Sequence, residues 1–195
     1  MNLDNIDWDK VNGLVPAIVQ DFKSSQVLML GYMNKEALEN TINTNFVHFY
    51  SRTKKRLWKK GETSGNVLLL NDIQLDCDRD TLLIKASNEG PTCHLDQYSC
   101  FGEEEFNISK LEKIIESRLN NPSEESYTSS LLKKGIKEIA KKITEEAGEV
   151  SISAVSNDGR VIEESADLLF HLLVLLKNQN IGFENIIGEL EKRSG

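Results

Sequence analysis

Three carboxylates and a thiol fall within five residues at Asp76-Cys77-Asp78-Arg79-Asp80. The flanks, Ile73-Gln74-Leu75 before and Thr81-Leu82-Leu83-Ile84 after, are apolar and partly β-branched, which reads as strand on both sides. A strand throws alternate side chains to opposite faces. If the extended conformation continues through the motif, Asp76, Asp78 and Asp80 share one face and Cys77 points to the other. The carboxylate face suits a hard, oxygen-liganded cation such as Mg²⁺, and a thiolate suits zinc. The remaining cysteines, Cys93 and Cys100, follow downstream, with His94 beside the first. Three thiolates leave a tetrahedral zinc one open position for water, as in a catalytic site. The plainer alternative is a buried Cys77 and two incidental thiols, but burial alone does not call for an alternating aspartate triad.

A second cluster is cationic. Arg52, Lys54, Lys55, Arg56, Lys59 and Lys60 crowd one stretch of an otherwise acidic chain. Arginine can grip a phosphate bidentately, and Gly61 or Gly65 would let the backbone approach it. On charge alone a solvated hairpin tip explains the run equally well.

The third cluster is helical. Ile136 to Ser153 places Ile136, Ile139, Ala140, Ile143, Ala147 and Val150 on one face at the 3.6-residue period. Glu146 falls at the edge of that face, Glu149 one turn further along the same side, and Glu145 points more outward. Asn157-Asp158-Gly159 is a turn. Val161 to Lys177 is apolar almost all round and therefore central, yet carries Glu164, Asp167 and His171 in one polar stripe. Carboxylates on two antiparallel helices could converge on divalent cations, and a buried acid cluster without one is costly. Exposed surface acids account for Glu145, Glu146 and Glu149 taken alone. Taken alone, His171 reads as a satisfied core histidine.

The elements that must position these residues change character along the chain. Leu14–Gln20, Val27–Tyr32, Phe46–Tyr50, Val67–Leu75 and Thr81–Ala86 read as strands, with one helix over Lys35–Asn43 capped by Asn34. Ile6 and Trp8 are candidate anchors ahead of them. Helices follow at Ile108–Leu119, ended by Asn121-Pro122, and from Tyr127. This pattern predicts a β-rich α+β domain over residues 1–105 and an all-α helical bundle over 106–195. The net charge of −8 is spread over both halves: 11 basic against 16 acidic residues in 1–107, and 12 against 15 in 108–195. Neither half has the basic balance of a nucleic-acid binder. Three cysteines argue against a disulfide framework and for a reducing compartment. There is no basic-then-apolar leader, and the longest apolar run, Leu168–Leu176, is too short for a bilayer. We therefore expect a cytoplasmic protein without membrane or nucleic-acid partners.

Asp76–Asp80, Gly90-Pro91-Thr92-Cys93-His94, Ser99-Cys100-Phe101, Tyr50-Ser51-Arg52 and Leu57–Asn66 together resemble the phosphoribosyl-AMP cyclohydrolase family of histidine biosynthesis. The resemblance covers about residues 1–102. It implies a homodimer, zinc on Cys77, Cys93 and Cys100, and Mg²⁺ on Asp76, Asp78 and Asp80. It also implies that a partner subunit supplies Cys77 and that zinc-activated water opens the purine ring between N1 and C6. His94 is then a candidate proton shuttle, and Arg52, Lys60, Glu62 and Ser64 candidate substrate contacts. Leu95-Asp96 departs from the family, which commonly has Thr-Gly there. The second half, about residues 108–195, is similar to the phosphoribosyl-ATP pyrophosphohydrolase family. The similarity lies in Glu145-Glu146-Ala147-Gly148-Glu149, Glu164-Ser165-Ala166-Asp167, Ser126-Tyr127-Thr128 and Lys142. It implies Mg²⁺ on Glu146, Glu149, Glu164 and Asp167, with Lys142 holding phosphate, and release of pyrophosphate from a nucleotide triphosphate. The competing class is a binding module without chemistry, whose zinc would be sealed by the three cysteines and His94.

Overall fold

The computed structural model describes residues 3–194. The chain divides into two compact units, Met1–Glu105 and Phe106–Gly195. The first is strand-rich with a helix and the second all helical, as the change of periodicity predicts.

In the first unit, β1 (Val15–Asp21) buries Val15, Ala17 and Val19 alternately, the period-two pattern of a half-covered strand. Asp21 ends it by accepting the backbone N–H groups of Lys23 and Ser24 at 3.0 and 2.6 Å, and β2 (Val27–Met33) returns. The helix α1 (Lys35–Thr44) starts where Asn34 accepts from the Ala37 N–H at 2.9 Å. The short pair β3 (His48–Ser51) and β4 (Arg56–Lys59) follows, then β5 (Leu68–Leu75) and β6 (Leu82–Asn88). The strand β4 is absent from the sequence expectation. Its charged ends hide it, and it forms because Trp58 pairs opposite Phe49, with ring centroids 5.2 Å apart.

The main sheet runs β2-β1-β6-β5, so β2 and β5 are its opposite edges. β1 and β6 are parallel, Ala17 opposite Leu82 and Asp21 opposite Ala86. β2 is antiparallel to β1, with Gln20 opposite Val27. One face carries the core of Val15, Val19, Leu28, Met33, Leu38, Phe49, Leu82 and Ile84. Ile6 is buried with them, and Trp8 packs alongside, its Nε1 donating to the Leu3 carbonyl at 3.1 Å.

The second unit consists of α2 (Ile108–Asn120), α3 (Tyr127–Lys134), α4 (Ile136–Ser156), α5 (Val161–Asn178) and α6 (Phe183–Arg193). Ile115, Leu131, Ile139, Leu173 and Val174 form its core. The periodicity expectation needs correcting at two places. On α4 only Ile139 of the apolar face is fully buried, while Ile136, Ala140 and Ala147 are exposed. On α5 the first turn is not central, since Ile162 is 83% exposed. The sequence reading also missed α6, which buries no residue completely. It is tied down where the Phe183 N–H donates to Glu112 Oε1 at 2.9 Å. Among the described residues, no helix is long and apolar enough to cross a membrane.

Candidate active sites

The aspartate motif is a turn, not a strand, which corrects the alternation argument. β5 ends at Leu75 and β6 starts at Leu82. Between them Asp76 Oδ1 accepts the N–H groups of Asp80 and Thr81 at 2.9 and 3.0 Å, and Arg79 takes a left-handed φ of 66°. A side-chain acceptor folding the backbone over itself outweighs the β propensity of the flanks. The turn still gathers one oxygen from each of Asp76, Asp78 and Asp80 within 4.8 Å of one another. Lys10 Nζ lies 2.5 Å from Asp78 and 2.6 Å from Asp80. The hydrogen bonds to that ammonium hold both carboxyls below the usual carboxylate range and push the lysine up. An ammonium seated here shows that the oxygens fit a cation. Nothing in the local sequence marks Lys10, which is 68 residues away.

Cys93 and Cys100 stand together at the other end of the sheet. The Cys100 N–H donates to the Leu28 carbonyl of β2 at 2.8 Å, while Cys93 follows the far end of β6. Burial pushes the Cys100 thiol up, and the neighbouring Cys93 sulfur adds to it. A soft cation between two such sulfurs would relieve both effects, so this pair fits zinc. Cys77 does not join them. It sits on the turn ahead of β6, beside the opposite edge strand β5. Six residue steps from Leu82 to Asn88 amount to about 20 Å. Nor does His94 complete a set: its Nδ1 is 3.9 Å from Cys93 Sγ, and no group of three potential ligands among the described residues includes a cysteine.

A cleft of about 430 Å³ opens on the pair, lined among others by Lys60, Glu62, Ser64, Cys93, His94 and Cys100. Gly61 closes its floor at a φ of +83°, where a Cβ would stand 2.4 Å from the Asn66 carbonyl oxygen. Half-burial lowers the Lys60 ammonium, and the two cysteines oppose that shift. Glu62 is paired with Arg56, which the cationic cluster contained but the choice of contacts passed over. The guanidinium holds the Glu62 carboxyl below its usual range. Arg52, a candidate substrate contact, does not line this cleft, and its guanidinium lies 3.8 Å over the Tyr32 ring. Asp96 adopts a φ of 58°, so the turn that departs from the family pattern keeps the left-handed geometry glycine favours.

In the helical unit, Glu146 of α4 and Glu164 and Asp167 of α5 bring one oxygen each within 4.8 Å of one another. Both glutamates are buried. Burial pushes the Glu164 carboxyl up, Arg160 opposes it, and Glu149 adds to the rise through a shared hydrogen bond. Glu149 is thus at the cluster but exposed. Glu145 turns outward to Lys142 at 2.8 Å and Lys141 at 3.3 Å, and those contacts lower its pKa. Lys142 also stands 3.7 Å from Glu146 Oε1. The pairing of Arg160 with Glu164 is readable from its i,i+4 spacing and was missed. His171 is buried and satisfied, with Nε2 2.9 Å from the Tyr127 hydroxyl and Nδ1 2.8 Å from the Asp167 carbonyl. Crowded acids on two facing helices fit a divalent cation, which would offset the burial of their charge.

Comparison with known proteins agrees with this division. The phosphoribosyl-AMP cyclohydrolase family model matches residues 29–102, and the phosphoribosyl-ATP pyrophosphohydrolase model matches residues 108–194. The chain is similar to the histidine biosynthesis bifunctional protein HisIE of Buchnera aphidicola subsp. Schizaphis graminum, at 55% identity over 98% of this chain and 95% of the relative. The Vibrio cholerae protein of the same name is 52% identical over 97% and 94%. That of Campylobacter jejuni is 47% identical over 97% and 95%. The chain therefore belongs to the bifunctional histidine-biosynthesis enzymes, with a cyclohydrolase part followed by a pyrophosphohydrolase part.

Proposed function

We propose that the helical unit acts first, hydrolysing phosphoribosyl-ATP to phosphoribosyl-AMP and pyrophosphate. The first unit then opens the purine ring of phosphoribosyl-AMP between N1 and C6. The observation that carries this reading is the convergence of Glu146, Glu164 and Asp167 across two helices, in the half that matches the pyrophosphohydrolase model. Mg²⁺, when bound, supplies neutralisation of phosphate charge, and zinc, when bound, makes water nucleophilic near neutral pH.

The chain's own groups do the rest. Glu146, Glu149, Glu164 and Asp167 would hold Mg²⁺, and Lys142 would reach a phosphate by letting go of Glu145, since its contacts are solvent-exposed and weak. In the cleft, Cys93 and Cys100 supply two sulfurs, while Glu62 and Ser64 offer acceptors to ribose hydroxyls. Lys60 brings positive charge beside them. His94 is exposed on the cleft wall and would carry a proton between the ring nitrogen and solvent. Asp76, Asp78 and Asp80 would hold Mg²⁺ away from these sulfurs. The direct test supplies phosphoribosyl-ATP to the purified chain with Zn²⁺ and Mg²⁺ and follows absorbance and product mass. Appearance of pyrophosphate and then a ring-opened nucleotide supports the sequence of reactions. Ring opening of phosphoribosyl-ATP itself, with the triphosphate intact, would sink it.

The third sulfur would come from a second copy. Within one chain Cys77 lies at the wrong end of β6, so a two-fold homodimer would carry two sites, each with Cys77 from the other subunit. Mixing Cys77→Ala and Cys93→Ala chains, unfolded and refolded together, tests this. Random pairing gives half mixed dimers with half their sites whole, so cyclohydrolase activity should return to roughly a quarter of wild type. No recovery, with mixed dimers shown to form, would refute the shared site.

A further inference from the structure

We infer that Tyr127 and His171 form a hydrogen-bonded pair that positions Glu146, and so sets how tightly the helical acid cluster takes a divalent cation. This rests on the reading that the cluster holds such a cation.

The pair links three helices. Tyr127 opens α3, His171 lies on α5 and Glu146 on α4. The Asp167 carbonyl oxygen can only accept, so His171 Nδ1 carries the hydrogen at 2.8 Å. The Nε2 of a neutral ring then accepts from the Tyr127 hydroxyl at 2.9 Å. The phenol stays protonated, because its burial raises its pKa. Phe170 and Tyr127 meet the imidazole edge-on, with centroids 5.4 and 5.9 Å away. The ring cannot turn over without breaking both hydrogen bonds.

That fixed ring faces the cluster. His171 Nδ1 is 3.7 Å from Glu146 Oε1, and Lys142 Nζ is 3.7 Å from the same oxygen. Both contacts fall on Oε1. Glu146 is buried, and of these two neighbours the Lys142 ammonium carries the charge while the neutral imidazole packs beside the same oxygen. A core position filled only for packing would not need a buried imidazole, whose polar atoms cost free energy unless satisfied. Groups packed against a cation-binding carboxylate help to orient it, and losing an outer partner of a metal site weakens affinity about 10- to 100-fold. Tyr127 and His171 are therefore positioning residues and not ligands.

The experiment titrates Mn²⁺ into the full-length chain and reads free Mn²⁺ by electron paramagnetic resonance. An Asp78→Asn/Asp80→Asn background silences the other carboxylate triad. Glu146→Gln marks the signal that belongs to the helical cluster. His171→Leu should weaken that binding about tenfold or more, and Tyr127→Phe by a smaller factor. His171→Asn, which keeps an N–H near the Nδ1 position, should recover part of the loss. Circular dichroism and melting curves show that each variant is folded. Tyr127→Phe removes a single oxygen from a half-exposed ring, so the test survives if the histidine variants do not fold. Unchanged Mn²⁺ affinity in folded Tyr127→Phe and His171→Leu proteins, even with lowered melting temperatures, would reduce the pair to a packing role and overturn the proposal. If Glu146→Gln itself binds Mn²⁺ as the parent does, the cation reading fails and the proposal with it, and the two failures are told apart by that variant.

Discussion

Glu149 is the acid whose chemistry stands furthest from its stability. It is exposed, and its shared hydrogen bond with Glu164 is its link to the cluster. Glu149→Gln keeps the size and removes the charge. Pyrophosphate release should fall at least about 100-fold, the upper end of what losing an outer partner of a metal costs. Ring opening of supplied phosphoribosyl-AMP should stay within twofold in the same preparation. Loss of both activities in a folded chain would mean that the sites are not independent. At this scale the acid clusters were legible in the sequence, since Asp76, Asp78 and Asp80, and Glu146, Glu164 and Asp167, do converge. Their cationic neighbours were not. Lys10 and Arg56 meet their acids through the turns of the fold, and one lysine in an acidic chain looks like any other.

At the level of elements, strand and helix periods located most of the chain, while turns were read poorly. Side-chain acceptors such as Asp76 Oδ1 decide a turn locally and leave no periodic trace. The loop that floors the cleft gives a direct check. At Gly61 the positive φ and the Asn66 carbonyl together forbid a side chain. Gly61→Ala should cost about 1–3 kcal/mol and lower the melting temperature, and an unchanged melting curve would contradict the backbone described. The connection between α4 and α5 gives a second. Asp158 bonds the Ser153 hydroxyl and accepts the Arg160 N–H at 3.0 Å. Those bonds hold its carboxyl below the ordinary 3.8. A depressed carboxyl stabilises the fold fully above its unfolded value and loses that contribution as pH falls through the folded one. Asp158→Asn should therefore melt below wild type at about pH 6, and the gap should close as pH drops beneath the usual carboxylate range. A gap that persists undiminished into acid would show that the Asp158 charge plays no part.

For the molecule as a whole, the switch from strand to helix periodicity was visible because each unit has its own core: Val15 through Ile84 in one, Ile115 through Val174 in the other. How two copies would meet was not legible, because the periodic signals report each unit's own core and not its exposed surface. Expressed separately, residues 1–105 and 106–195 should each fold, the first keeping ring opening and the second pyrophosphate release. Cooperative melting of each fragment and its own assay check this. Two inactive fragments would mean that each half depends on the other.

Lys10 gives the first residues of the chain a further property. The Asp7 N–H is bonded to the Arg79 carbonyl at 2.8 Å, and the Lys10 ammonium lies between Asp78 and Asp80, so this arm is pinned to the aspartate turn at two points. Trypsin cuts after lysine and needs the side chain loose enough to enter its specificity pocket. A divalent cation competing for the same oxygens would release that side chain. Cleavage after Lys10 should then quicken several-fold with added Mg²⁺, against the usual trend of ligands slowing proteolysis. An N-terminal sequencing time course would show it, and equal rates with and without Mg²⁺ would mean that the ammonium and the metal do not compete.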